Sequence, residues 1–449
     1  MRIAVMVAAA LCLVGTCRAS HAFEFGKDVV RDSLDLNGTW EVFRGDGTEE
    51  LWKPQAAADV KWDTTEVPGA LLKGLKNPEQ QQVRFVWARR SFTLDATHAA
   101  RDVVLRWNGI RFGATAWING TPVCEHTAVG PNTVLLRRGI VKAGRNELVL
   151  KVPGWAGVLK NKAGYPLMPT GAATQTWGAK NAAIFYDIWL EFYDDAYLKW
   201  VLAMPDVRKG TVTFRVWVDA AAELPGKVDV DVGVRPWKEQ AVSGRGKATI
   251  RGGKSPVDIP VTVEDAKPWS LEERHLYEAT LTATADGKVL DRATLRFGLR
   301  ELVVKDGHYF LNGKRFRFTG SNLVNEWHWG DMFNENIKRY IVDEARTMSL
   351  NSFRTHTCPP PHLWLNVADE HGTLFLAEFP VLYNYQDFHF SKEDLEVWHR
   401  NALTDATGWV TTLWNHPAVV IWVLSNESPR DDAWESGPFR DHVVGLDPT

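Results

Sequence analysis

Residues 415–427 read Asn-His-Pro-Ala-Val-Val-Ile-Trp-Val-Leu-Ser-Asn-Glu, and this stretch decides how the last third of the chain is interpreted. The apolar run from Ala418 to Leu424 predicts a buried strand, because strands covered on both faces carry no alternating polar residues. The run ends in three polar residues, Ser425-Asn426-Glu427. In α/β barrels, working residues stand where the strands end. The stretch therefore predicts a barrel strand with candidate site residues at its carboxyl end.

Strands and helices alternate upstream of this stretch. Apolar residues at 337, 341, 345 and 348 form one stripe, which predicts an amphipathic helix over 334–348. Further helices are predicted over 363–371 and 393–414, and strands over 316–319, 352–354 and 373–376. Four such units in residues 301–449 correspond to the N-terminal half of a (β/α)8 TIM barrel, which takes about 250 residues when complete.

Residues 23–300 follow a different pattern, in which short alternating segments are broken by Gly, Pro and Asn. Residues 23–193 predict a jelly-roll β-sandwich, and Asn119-Gly120 predicts a two-residue hairpin because both turn positions need a positive φ. Residues 194–300, about 100 with a turn every ~8 to 12, predict an immunoglobulin-like β-sandwich. The predicted fold class is multidomain: a jelly-roll β-sandwich, an immunoglobulin-like β-sandwich and a partial TIM barrel.

Residues 1–22 have the pattern of a secretory signal peptide. An apolar run from Ile3 to Val14 follows a basic residue, and Ala19 or Ala22 offers a cleavage point. We therefore expect a secreted or periplasmic protein, without a membrane span because the run is too short to cross a bilayer. A lipid anchor on Cys17 ranks second.

Composition and charge narrow the function further. The 52 Lys and Arg against 55 Asp and Glu give a net charge of -3 without a basic block, so we expect no nucleic-acid partner. The histidines lack metal-ligand spacing, and no phosphate loop or serine nucleophile elbow is present, so we expect neither a metal nor a cofactor. Beyond the leader the cysteines are Cys124 and Cys358, which we expect to be thiols rather than a disulfide framework.

Polar side chains follow each predicted barrel strand, and the parallel arrangement would bring them to one edge. The candidates, in chain order, are Asn322, Trp327, Arg354, His356, Glu378, Asn426 and Glu427. A carboxylate, amides, an imidazole and a guanidinium suit a hydroxyl-rich substrate, with the carboxylate as general acid. Structural roles for Arg354 and His356 remain equally open. Trp327 is either a stacking platform for a sugar or a cap on the barrel mouth.

The stretch 415–427 resembles the signature of glycoside hydrolase family 2, which includes β-galactosidases, β-glucuronidases and β-mannosidases. Residues 36–40 and 116–120 resemble the family's jelly roll, 310–314 the start of its barrel and 353–356 its second strand. The resemblance implies that Glu427 is the acid/base and that Asn426 holds the hydroxyl beside the reacting carbon. It also implies that the substrate is a carbohydrate with a terminal β-O-glycosidic bond.

The family's retaining mechanism needs two carboxyl groups about 5 to 5.5 Å apart, of which the second is the nucleophile. The family places that second Glu on a later strand, so we expect the nucleophile to be missing and the chain to be truncated within the barrel. Glu378 and Glu326 are the conceivable stand-ins.

A half barrel leaves open strand edges, which recruit other strands. We therefore expect an oligomer or a complementing C-terminal segment, and an inactive, poorly soluble chain without it. The alternatives are a non-catalytic carbohydrate-binding protein, an inactive fragment and a structural adhesin.

Overall fold

The computed structural model describes residue 27 and residues 29–170, 180–253, 255–323, 334–381, 389–428 and 432–449. The predicted leader, Glu326 and the candidate site residue Trp327 lie outside the described residues. Within the part of the chain that is described, no helix is long and apolar enough to cross a membrane.

The first part of the chain consists of antiparallel strands joined by short turns and helices. The strands are β1 (Val29–Val30), β2 (Ser33–Asp35), β3 (Gly38–Gly45), β4 (Asp63–Val67), β5 (Gly69–Ala70), β6 (Phe85–Leu94), β7 (Asp102–Trp107), β8 (Ile110–Arg111), β9 (Ala114–Ile118), β10 (Thr121–His126), β11 (Asn132–Leu136), β12 (Gly144–Pro153), β13 (Ala183–Ile184) and β14 (Ile188–Tyr193). The helices are α1 (Pro54–Ala58), α2 (Asn77–Gln81) and α3 (Ala96–Ala99).

Ten of these strands form two sheets that pack against each other as a β-sandwich. Their orders are β10-β9-β12-β6-β3-β4 and β11-β7-β14-β2, and Trp40, Trp107 and Leu150 belong to the fully buried core that both sheets line. The predicted hairpin is confirmed: Asn119 and Gly120 join β9 to β10 with φ of 50° and 81°. The alternating pattern of the sequence therefore corresponds to strands with one face buried.

A second β-sandwich follows. Its strands are β15 (Tyr197–Asp206), β16 (Thr211–Asp219), β17 (Lys227–Pro236), β18 (Gly244–Arg251), β19 (Val257–Thr262), β20 (Tyr277–Ala285) and β21 (Lys288–Phe297). They form the sheets β15-β16-β19 and β1-β21-β20-β17-β18. The strand β1 pairs with β21, placing Val29 opposite Leu295, so residues assigned by sequence to the first domain extend the sheet of the second. The predicted domain boundaries stay predictions.

The last part of the chain alternates strands and helices. Its elements are β22 (Leu302–Lys305), β23 (His308–Leu311), β24 (Lys314–Phe316), β25 (Gly320–Leu323), α4 (Glu335–Thr347), β26 (Ser352–Thr355), α5 (His362–His371), β27 (Leu374–Glu378), α6 (Lys392–Leu413), β28 (Val419–Val423), a π-helical turn (Glu435–Phe439) and α7 (Arg440–Leu446). The strands β25, β26, β27 and β28 form one parallel sheet in chain order. The chain is thus multidomain, with β-sandwich structure followed by a TIM-barrel-like sheet.

The predicted strand over 316–319 is wrong. Phe316 ends β24, in an antiparallel meander of β22, β23 and β24, and the first barrel strand begins only at Gly320. A Cβ on residue 320 would lie 2.3 Å from the carbonyl oxygen of Ser352, so the close approach of β25 to β26 requires glycine there. Asn322 consequently lies within β25, opposite Arg354, rather than after the strand.

The helix α4 confirms the predicted helix but shares only Ala345 with the stripe that was expected to be buried. Its buried residues are Lys338, Val342 and Ala345, whereas Met348 of the predicted stripe is 63% exposed. The Nζ of Lys338 lies 5.0 Å from the ring centroid of Trp364. The long aliphatic stem of a lysine can pack in the core while its ammonium lies over an aromatic face, which hydrophobic periodicity does not capture.

The start of the 415–427 stretch joins the barrel to the second sandwich. The side chain of Asn415 accepts a hydrogen bond from the Ala203 N–H at 2.9 Å and donates one to the Val201 carbonyl at 2.8 Å. His416 Nδ1 lies 2.7 Å from Asp369 Oδ2. These buried contacts fix the point at which β28 begins, so the first residues of the stretch have a structural role.

Candidate active site

The carboxyl ends of β26, β27 and β28 bring four of the predicted site residues together. Arg354 Nη2 donates a hydrogen bond to Asn426 Oδ1 at 3.0 Å and forms an ion pair with Glu378 Oε2. His356 Nδ1 lies 3.9 Å from Glu378 Oε1. The guanidinium of Arg354 therefore connects the ends of three neighbouring strands, as the parallel arrangement predicted.

Glu378 lies beneath the site rather than in it. Its side chain is fully buried, and Oε1 accepts a hydrogen bond from the Thr357 N–H at 2.6 Å. Burial raises the pKa of Glu378 to about 7, although the Thr357 N–H and Arg354 lower it, and the charge of Glu427 adds to the rise. Glu378 therefore supports Arg354 from a buried position, and its predicted substrate-binding role stays a prediction.

His356 lies at the rim with its side chain 21% exposed. Burial and the positive charge of Arg354 lower the pKa of His356, while the negative charge of Glu427 raises it. Because the net shift is downward from an ordinary value of 6.5, the imidazole is neutral at pH 7. A neutral imidazole can both donate and accept hydrogen bonds, which suits contact with sugar hydroxyls.

Asn426 and Glu427 follow β28 and differ sharply in environment. Asn426 is 4% exposed, and its backbone N–H donates a hydrogen bond to the Val381 carbonyl at 3.2 Å. Glu427 is exposed and adopts a left-handed backbone conformation with φ of 56°. Its charge influences the pKa values of both His356 and Glu378, so its carboxyl belongs to the same cluster.

Asn322 lies at the edge of this cluster. It is exposed on β25, and its register partner on the neighbouring strand is Arg354. The strand β25 lies beside β26, and among the described residues Asn322 makes no hydrogen bond with Asn426 or Glu427.

Glu435 contacts the site and was missed by sequence reasoning. Its carboxyl oxygens accept hydrogen bonds from the hydroxyls of Ser425 and Ser428, which flank Asn426-Glu427. Burial raises the pKa of Glu435, the two serine hydroxyls lower it and the charge of Asp432 raises it. The available signal was weak: an acidic residue a short distance after a predicted strand end.

The described side chains of the site suit the binding of hydroxyl groups and the transfer of a proton. Among them, no group of three or more His, Cys, Asp or Glu residues is placed to hold a metal ion. Cys124 and Cys358 are not joined in a disulfide, as predicted. The cluster presents a guanidinium, an amide and a neutral imidazole for hydroxyl groups, together with one exposed carboxyl that can transfer a proton.

Comparisons of sequence agree on one family. The family model described as "Glycosyl hydrolases family 2" matches residues 195–300. The model described as "Glycosyl hydrolases family 2, TIM barrel domain" matches residues 302–449. A putative β-glucuronidase of Formosa agariphila is 21% identical over 441 residues, covering 93% of this chain and 39% of that protein. A β-galactosidase of Alteromonas mediterranea is 23% identical over 472 residues, covering 95% and 43% respectively. The chain thus spans less than half the length of these relatives.

Solved structures share the fold. A glycosyl hydrolase family 2 member from Bacteroides cellulosilyticus superposes with a TM-score of 0.74 at 18% identity, covering 93% of this chain and 54% of that one. A β-glucuronidase from Ruminococcus gnavus in complex with uronic deoxynojirimycin gives a TM-score of 0.72 at 18% identity, covering 96% and 73%. From its matched domains, its relatives and its fold, the chain belongs to glycosyl hydrolase family 2.

Proposed function

We propose that this chain is the part of a retaining β-glycosidase that carries the proton donor, Glu427. The observation that supports the proposal is the contrast at the end of β28. Asn426 is buried and held by Arg354, whereas Glu427 is exposed and makes no hydrogen bond or ion pair with the other described residues. A fixed amide beside an unengaged carboxyl suits a site where the amide orients a sugar and the carboxyl transfers a proton.

The contacts of Asn426 assign its hydrogen-bonding groups. Oδ1 accepts the hydrogen bond from Arg354. Nδ2 is the remaining donor and can bind a hydroxyl oxygen of the sugar. Arg354, in turn, is held by buried Glu378. The amide therefore faces a substrate in one orientation.

In the proposed reaction, Glu427 first gives its proton to the departing glycosidic oxygen. It then takes a proton from the water that hydrolyses the glycosyl-enzyme intermediate. His356 and Arg354 bind hydroxyls near the reacting carbon. The bond that breaks is a terminal β-O-glycosidic bond, and the product keeps the β configuration.

None of the described residues is suited to be the second carboxyl group, the nucleophile. Glu378 interacts with Glu427 electrostatically, but it is fully buried and paired with Arg354, so it cannot attack an anomeric carbon. The relatives are longer than this chain. We therefore assign the nucleophile to the part of the family fold that this chain does not span. The same part would be the complementing segment that covers the open edge of the sheet.

We also propose export from the cytoplasm, on the pattern of residues 1–22 alone. The mass of the protein recovered from outside the cytoplasm tests this. Cleavage after Ala19 or Ala22 is the expected result, and an intact N-terminus would contradict it.

The test of function uses nitrophenyl β-glycosides and the protein made from its complete reading frame. We expect turnover of one or more of these sugars. In Glu427→Gln, kcat should fall by about 10² to 10⁴ for alkyl glycosides, which need a proton for the leaving group, and far less for activated aryl glycosides. The matched control is Glu396→Gln, an exposed carboxylate on α6.

Equal losses on both substrate types would contradict the acid role. Binding of sugars without any turnover would favour the non-catalytic carbohydrate-binding alternative.

A further inference from the structure

We propose that Glu435 is a positioning residue that holds the Asn426-Glu427 turn in its working conformation. The proposal rests on the proposed function of Glu427. Ser425 Oγ donates a hydrogen bond to Glu435 Oε2 at 2.6 Å, and Ser428 Oγ donates one to Oε1 at 2.7 Å. One carboxylate thus spans the four-residue turn, binding the residue before Asn426 and the residue after Glu427. We call this arrangement the serine clamp.

The turn needs such support because Glu427 is strained and, among the described residues, no hydrogen bond or ion pair holds its side chain. A non-glycine residue in the left-handed region is strained, and such a conformation persists only where its surroundings enforce it. Glu427 has a φ of 56° and an exposed side chain. Its backbone, rather than packing, therefore decides where its carboxyl points.

Among the described residues, the other contacts that anchor the turn both hold Asn426. Asn426 is tied by its N–H to Val381 and by Oδ1 to Arg354. The serine clamp supplies contacts to the residues on both sides of Asn426-Glu427. Removal of the clamp would leave Asn426 anchored and Glu427 able to leave the left-handed region.

Glu435 is itself rigidly placed. It is 7% exposed, its N–H donates to Asp432 Oδ1 at 2.7 Å, and it begins the π-helical turn Glu435–Phe439. Phe439 at the other end of that turn is fully buried, with its ring centroid 5.5 Å from that of Phe379, the residue after β27. Through this packing, the serine clamp is held against the sheet at whose edge the site lies.

The chemistry of the contacts fits a carboxylate. Both serines donate, so both oxygens of Glu435 accept, and the distances of 2.6 and 2.7 Å are those of well-formed O–H···O hydrogen bonds. Glutamine keeps the shape of the side chain but offers one acceptor. Glu435→Gln should therefore keep half of the clamp and Glu435→Ala none.

The first test measures amide hydrogen exchange in the full chain. In Glu435→Ala and in the Ser425→Ala/Ser428→Ala double variant, we expect the amides of residues 425–428 to exchange at least about 10-fold faster, while those of α6 stay protected. The matched control is Asp441→Asn, an exposed acid on α7. Unchanged exchange at 425–428 in both clamp variants would overturn the proposal.

The second test is kinetic and uses the protein from its complete reading frame. Loss of the clamp should lower kcat about 10- to 100-fold on substrates with poor leaving groups, with little change in KM, because a misplacement near 1 Å costs up to about 10² in rate. Glu435→Gln should restore part of the loss. Combining Glu435→Ala with the double serine variant should add nothing further, because all three side chains form one unit.

The experiments distinguish a failure of the role proposed for Glu435 from a failure of the function proposed for Glu427. Equal loss of kcat on all substrates, in proportion to a fall in Tm, would reduce Glu435 to a structural residue. If the wild type hydrolyses no glycoside, the proposed function fails. Hydrogen exchange then still decides whether Glu435 holds the turn.

Discussion

Asp405 provides a prediction about how the barrel is fastened to the first sandwich. It lies on α6, is 2% exposed and accepts a hydrogen bond from the Gly130 N–H at 2.6 Å through Oδ1. Burial raises the pKa of Asp405 to about 7, although hydrogen bonds from the Gly130 N–H and from the Trp409 side chain lower it. Below pH 7 the folded protein therefore favours the protonated acid.

The magnitude follows from the two pKa values. Between an ordinary value of 3.8 and about 7, the difference corresponds to roughly 4 kcal/mol of folding free energy. Since the folded pKa is raised, this stability is fully present below pH 3.8 and is lost as the pH rises through 7. Roughly 3 kcal/mol of the loss should fall between pH 5 and pH 8. Asp405→Asn stays neutral and should lack this loss.

The assay is urea unfolding of wild type and Asp405→Asn at several pH values from 5 to 8, followed by tryptophan fluorescence. We expect the free energy of unfolding of the variant, relative to wild type, to increase by up to roughly 3 kcal/mol between these limits. Glu396→Gln, an exposed change on the same helix, should give no such trend. A difference that is the same at pH 5 and pH 8 would refute the reasoning, since Asp405 would then fold in its ionised form.

Three further changes test the site and its scaffold. Arg354→Lys keeps the charge but cannot reach two partners in the fixed geometry of a guanidinium, so kcat/KM on nitrophenyl glycosides should fall at least 10-fold with little change in Tm; unchanged kinetics would show that the bridge is dispensable. Gly408→Ala would place a Cβ 2.2 Å from the Pro131 carbonyl oxygen, so we expect about 1 to 3 kcal/mol of destabilisation in urea unfolding. The control is Gly445→Ala, where a Cβ meets nothing within 4 Å. Ser391→Ala removes the N-cap of α6 and should cost about 1 kcal/mol, and a loss below a few tenths would mean that the cap is not needed.

Much of the candidate site follows from a local rule. Strands of a parallel sheet present their carboxyl ends at one edge, so polar residues after predicted strands could be grouped before any coordinates were known. This logic places Arg354, His356 and Asn426 together, and the structure confirms it. The rule does not distinguish a residue that contacts the substrate from one that supports another side chain: Glu378 satisfies it, yet lies fully buried beside Arg354.

The contacts of Glu435 could not be predicted from this rule. No periodicity, spacing or motif ties it to the turn, because its contacts depend on how a π-helical turn folds back over the end of β28. A hydrogen bond between side chains several residues apart is a property of the path of the chain. Sequence composition carries almost no trace of it.

The sequence by itself determined the order of sandwich and barrel-like parts, the hairpin at Asn119-Gly120 and the strand that carries Asn426-Glu427. These features depend on hydrophobic period and turn chemistry, which act between residues close in the chain. Only the tertiary structure decided that β1 completes a sheet some 265 residues away, in the register of Val29 with Leu295. It also decided that Lys338 is buried and that one carboxylate clamps two serines. Such choices are made by packing between distant segments, whose partners are not encoded in the local pattern.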